Sequence, residues 1–151
     1  MHSFVRRYIK TAIAFLAIGL ALGGWMITRR ELFNEPPSPY LVSAHTHALL
    51  VGFVMELILG MALWLFPRPA KDDDRYSSRA VSASYWLLTA STAGRVAGEV
   101  VRPFVDSIAL RWFVVLSGIG QIVAILLFFN AMWSRIRPLG SKLREERGER
   151  F

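Results

Sequence analysis

Residues 43–67 read SAHTHALLVGFVMELILGMALWLFP. His45 and His47 stand one residue apart at the head of a mostly apolar run in which Glu56 is the only carboxylate. A hydrocarbon core about 30 Å thick is crossed by roughly 20 helical residues, so this run is long enough to span a membrane. Two imidazoles and a carboxylate in such a segment need an explanation.

Working outward, apolar runs of similar length cover residues 8–28, 80–101 and 112–134, and the quoted run falls in a helix over 41–66. The chain of 151 residues is 54% hydrophobic and has no cysteine, with mean hydropathy +0.38. That is too apolar for an ordinary soluble domain of this size. The expected fold class is all-α, an integral membrane four-helix bundle over residues 1–137 with a charged tail over 138–151.

The connections carry the turn chemistry. Pro36, Pro37 and Pro39 stop the first helix from running into the second. Ser77 or Ser78 is available to cap the third. Lys and Arg number three in the N-terminal segment (Arg6, Arg7 and Lys10), four in the second connection and six from Ser134 onward, against two in each of the other connections. The positive-inside rule then expects both termini in the cytoplasm of a bacterial or archaeal cell. The net charge of +7 is accounted for by topology, and no nucleic-acid partner is implied. The segment RRYIK followed by TAIAFLAIGLALGG also has the form of a signal peptide. No small-x-small cleavage site follows it, so an uncleaved first helix is expected.

Charged groups well inside the spans reduce to Arg95, Glu99 and Glu56. Charges at membrane depth cost several kcal/mol unless paired or wet, so each is a candidate for function. Arg95 and Glu99 are four apart and within reach on one helix face. In a regular helix His45, Gly52 and Glu56 fall on nearly one line, while His47 points about 200° away from it. The two imidazoles then cannot share an ion, whereas an extended first turn would let them. By depth, His45 and His47 lie level with Arg95 and Glu99, with Glu56 about 16 Å further along the axis. Ala90, Gly94 and Gly98 form a small-residue ridge that Gly19 and Gly23 of the first helix would answer, an arrangement suited to close packing or oligomerisation. Gln121 and Asn130 read as makers of interhelical hydrogen bonds.

The segment HTHALLVGFVMELILGMALWLFPR, with its H-x-H-x-x-L-x-G-F pattern, resembles the second transmembrane helix of the haem-copper oxidase large subunit. Nitric oxide reductase-like members and NnrS-type proteins are the most similar in pattern, and the expected topology resembles the first four helices of that subunit. The resemblance implies that His45 or His47 is an axial ligand of a low-spin haem b. His45 is favoured because Gly52 on its face leaves room for a flat macrocycle. Arg95, Arg29, Arg30 and Arg102 are propionate candidates, and Glu56 and Glu99 further site candidates.

The family's second axial histidine and active-site histidines have no counterparts here, since His2 is the one other histidine. Catalysis of oxygen or nitric oxide reduction by this chain alone is therefore not expected. The implied roles are electron transfer, gas or haem sensing, or support of a respiratory or denitrification complex. The missing axial ligand would come from a homo-oligomer, a dimer being favoured, from His47 or a methionine, or the iron would stay five-coordinate. The alternatives are a cofactor-free accessory subunit and a Cu or Zn protein using His45 and His47.

Overall fold

The structure is a computed structural model that describes residues 3–67, 77–136 and 147–148. His2, most of the basic second connection and nearly all of the tail lie outside the described residues. Four helices follow one another: α1, Ser3–Phe33; α2, Pro39–Leu65; α3, Ser78–Val101; and α4, Ile108–Met132. A single 3₁₀ turn, Trp133–Arg135, closes α4. No strand occurs among the described residues.

Helix ends follow from local chemistry. Asn34 takes the left-handed conformation, φ 52°, just past the end of α1, as the residue after a helix often does. Ser38 accepts from the Tyr40 amide with Pro39 in the first turn, where a missing N–H costs nothing. Ser77 caps α3 through the Ala80 amide, and Ser107 caps α4 through Leu110. At the far end of α2, Arg135 donates to the carbonyls of Leu63, Phe66 and Pro67 at 3.1, 3.0 and 2.8 Å. These are carbonyls that a helix C-terminus leaves without intrahelical donors.

α1, α2 and α4 are long and apolar enough to cross a membrane. Large apolar side chains such as Leu20, Trp64, Ile122 and Leu126 stand on the outside of the bundle, where lipid is their natural solvent. α3, with 24 residues, has the length expected of the third span but not its apolarity. Its Ser84, Ser91, Thr92 and Glu99 are buried instead, so it turns its polar face into the bundle.

Two corrections concern register. The glycine ridges do not meet. A Cβ on Gly19 would strike Leu49 of α2, and one on Gly23 would come within 2.8 Å of the His45 ring. Gly94 and Gly98 instead face Phe113, Val114 and Ser117 of α4, while Ala90 is exposed. The glycines of each ridge are filled by the next helix along the chain.

Secondly, α2 is not a regular helix throughout. Its middle, Ala48–Met55, is π-helical, with more residues per turn and less rotation per residue than an α-helix. His45 and Gly52 still face α1, but Glu56 is turned to Thr89 of α3. The single line expected through all three is broken.

For orientation, the end of the bundle holding the α1–α2 and α3–α4 connections is the connection end. The other, where α1 begins and α4 finishes, is the terminal end.

Candidate functional site

α2 is helical from Pro39, so the two imidazoles emerge on different sides. His45 lies against α1, its Nδ1 2.8 Å from the Gly19 carbonyl oxygen and its ring over Gly23. His47 lies toward α3. Its Nδ1 is 2.8 Å from the Ser43 carbonyl oxygen and 3.5 Å from Oε2 of Glu99. A neutral imidazole with Nδ1 as donor leaves Nε2 as the lone-pair nitrogen. No described residue hydrogen-bonds that atom.

Glu99 is the hub. Its Oε1 accepts from Ser43 Oγ at 2.9 Å and from Arg95 Nε at 3.1 Å, and its side chain is 5% exposed. Arg95 donates onward to Oε1 of Gln121 at 3.3 Å, and Gln121 Nε2 donates to Thr92 Oγ1 at 3.1 Å. α2, α3 and α4 are thus tied by one run of hydrogen bonds at the level of His47. The depth argument and the spacing of Arg95 and Glu99 place these groups together, and the interhelical role read for Gln121 is the one it takes. Ser43 and Thr92 carry no signal in the sequence, because a serine or threonine in a helix most often bonds its own backbone.

The remaining candidates lie elsewhere. Gly52 does not open room for a macrocycle, since the ring of Phe15 fills the space over it. That removes the reason for favouring His45. Arg29 pairs with Glu35 and Arg30 with Glu31, both exposed. Arg102 pairs with Asp106 at 2.6 Å and stacks on Tyr40, 4.9 Å from the ring centre. Of the four arginines, Arg95 alone stands beside a histidine-bearing cluster. Glu56 is fully buried, with Thr89 donating to its Oε1 at 2.8 Å.

Among the described residues no three His, Cys, Asp or Glu side chains gather as ligands of a metal ion. A haem iron needs less from one chain, namely one imidazole nitrogen per axial position. The donor set at His47 fits that need. Its Nδ1 is fixed by the Ser43 carbonyl, as in ligating histidines generally, and the Glu99 carboxylate 3.5 Å away carries a guanidinium suited to an anionic substituent.

No curated protein and no solved structure matches the chain. A family model does, over residues 3–144, that of the cytochrome c and quinol oxidase polypeptide I. The match takes in the four helices and both histidines, and the chain therefore belongs to the cytochrome c and quinol oxidase polypeptide I family, the large subunit of the haem-copper oxidases.

Proposed function

We propose that this chain binds haem b in the membrane and passes electrons, without a binuclear catalytic centre of its own. The observation that carries the reading is His47: a nitrogen free to bind, the other ring nitrogen fixed, and Arg95 alongside. His47 is preferred to His45, whose ring is pressed onto α1 at Gly23. When bound, the haem supplies the one-electron couple. Ser43 and Glu99 orient the imidazole. Arg95, bonded to Glu99 and Gln121, would supply the positive charge for a haem propionate.

Because His45 and His47 diverge, the chain offers one iron a single imidazole. A second copy, related by a two-fold axis, supplies the other ligand, giving one haem per two chains. The basic segments support a cytoplasmic side for both termini, which would put the connection end and the haem toward the outer surface.

Oxidised and dithionite-reduced spectra of protein purified from haem-supplemented cells test this. A Soret band and a sharp reduced α-band are expected, lost in His47→Ala and kept in His45→Ala. A pyridine haemochrome assay is expected to give one haem per two chains. A colourless wild type of normal oligomeric state would overturn the reading in favour of a cofactor-free accessory subunit. Loss of the bands in His45→Ala alone would move the ligand to His45.

A further inference from the structure

Among the described residues, three buried side-chain atoms have no hydrogen-bond partner: Oε2 of Glu99, Oε2 of Glu56 and the hydroxyl of Tyr8. His47 stands 3.5 Å from the first. The other two lie in the terminal half of the bundle, where Tyr8 of α1 packs on Gly60, one turn along α2 from Glu56, and the haem reading uses neither. Native interiors leave few polar atoms unpaired, and each one needs an explanation.

The surroundings define what the pair can hold. Glu56 and Tyr8 are both 0% exposed. Gly60, one turn beyond Glu56, brings the helices so close that a Cβ there would lie 2.7 Å from that of Tyr8. Thr89 of α3 donates to Oε1 of Glu56, leaving Oε2 bare. Ser84 of α3 sits beside the Tyr8 hydroxyl, its own proton given to the Ala124 carbonyl at 2.8 Å. Tyr85 of α3 shares a hydrogen bond with Thr11 of α1 at 2.7 Å. Leu59, Leu88 and Phe128, all at 0% exposure, close the region off.

The titratable group near Glu56 is Tyr8 from α1, itself packed on Tyr85 of α3, with the neutral Thr89 and Ser84 alongside. No Lys, Arg or His among the described residues makes an ion pair with it, in contrast to Glu99. A carboxylate sealed in such a place has no cation and only one donor. A carboxylic acid fits, because it carries no charge and its Oε2–H is a donor in a region that also holds the unpaired oxygen of Tyr8.

We propose that Glu56, with Tyr8, Thr89 and Ser84, forms a buried proton-binding site in the terminal half of the bundle. The ligand is a proton, taken up on Oε2 and released from it, with no other bond made or broken. Its route follows the polar face of α3. Thr89 and Thr92 are three apart, neighbours on the helix surface, and Thr92 stands on the polar run toward the connection end, in which Gln121 and Arg95 anchor the groups and water would carry the proton. One turn of α3 is the gap, short enough for a water to bridge. The site does not depend on haem.

Infrared difference spectroscopy of the full chain in lipid nanodiscs, prepared without haem, reads the proton directly. A carbonyl stretch of a protonated carboxylic acid is expected. It shifts in heavy water and on ¹³C-glutamate labelling, vanishes in Glu56→Gln, persists in Glu99→Gln and changes frequency in Tyr8→Phe. Thr92→Val is expected to slow its deuterium exchange at least several-fold. Absence of any such band in the wild type overturns the proposal, and so does a band unaffected by Tyr8→Phe and Glu56→Gln. A band that never shifts in heavy water also overturns it, because the proton would then be trapped. Should Glu56→Gln fail to fold, ¹³C labelling with Tyr8→Phe still decides the assignment. Failure of this test leaves the Soret band untouched, and a colourless protein leaves this test intact.

Discussion

At the terminal end of the bundle, Tyr8, Leu59, Leu63, Tyr85, Leu88, Phe128 and Met132 from all four helices form one buried cluster. Tyr8 meets Tyr85 and Phe128 edge to face, with ring centres 4.9 and 6.1 Å apart. At the connection end the buried apolar cluster is Ala44, Ala48 and Val96, and hydrogen bonds through Glu99 hold α2, α3 and α4 in register. In lipid, apolar side chains gain little by leaving a solvent of their own kind, and close packing and polar contacts bring helices together. The terminal end uses the first and the connection end the second. The second leaves Nε2 of His47 to bind something else, whereas in the first the unpaired polar atoms are the buried Oε2 of Glu56 and the Tyr8 hydroxyl.

The largest effect is expected where packing carries the fold. Phe128→Ala should lower stability by about 3 kcal/mol, as buried aromatic truncations do, read from unfolding midpoints in mixed micelles. Its haem spectrum, once folded, should match the wild type. A change in the spectrum as large as that in stability would mean that the two ends are not separable.

Arg95→Met comes next. Removing the guanidinium leaves a carboxylate that is 5% exposed with only Ser43 and His47 for company. Breaking a partly buried pair in this way should cost about 2 kcal/mol. Arg95→Met with Glu99→Gln should recover most of the loss, because no charge is then stranded. Equal instability in the double variant would show that Arg95 acts through shape alone.

How far these two ends can be read from the sequence differs for a physical reason. Helix number, the proline-bound turn before α2, and the level of His47, Arg95 and Glu99 all follow from hydropathy and a rise per residue. Those quantities tolerate small errors. Facing does not, because eight π-helical residues at Ala48–Met55 rotate everything beyond them, and no residue in ALLVGFVM announces that change. The loss of one line through His45, Gly52 and Glu56 comes from that stretch. The choice of glycine partners failed similarly: Gly19, Gly23, Gly94 and Gly98 mark close approach, but small residues carry no label saying which helix will fill them. Arg135, which reads as one more basic residue beyond the last span, closes α2 through three carbonyls that only the tertiary arrangement brings near.

Adjacent glycines offer a smaller and cleaner test. Gly23→Ala puts a methyl group 2.8 Å from Cε1 of His45, so α1 and α2 must shift. The expected cost is about 1 kcal/mol. Gly24→Ala meets nothing within 4 Å and should stabilise by about 0.5 kcal/mol through helix propensity. Matching effects at the two positions would contradict the contact between His45 and α1. Because His47 is assigned the ligand role, Gly23→Ala should shift the haem spectrum far less than His47→Ala does.

The smallest effect belongs to the exposed α3–α4 connection, where charge is wet. Arg111 and then Arg102 hold the Asp106 carboxyl below its ordinary value of 3.8 through hydrogen bonds. A carboxyl that is harder to protonate when folded adds stability above its unfolded pKa, and that contribution is lost as pH falls through the lowered folded value. The gap in unfolding midpoint between wild type and Asp106→Asn should therefore be greatest near neutrality and close below about pH 4. Salt should shrink it, as it does for exposed pairs generally. A gap that persists unchanged into acid would mean that Asp106 works by shape, through its bonds to both arginines, and that charge matters only at the buried Glu99.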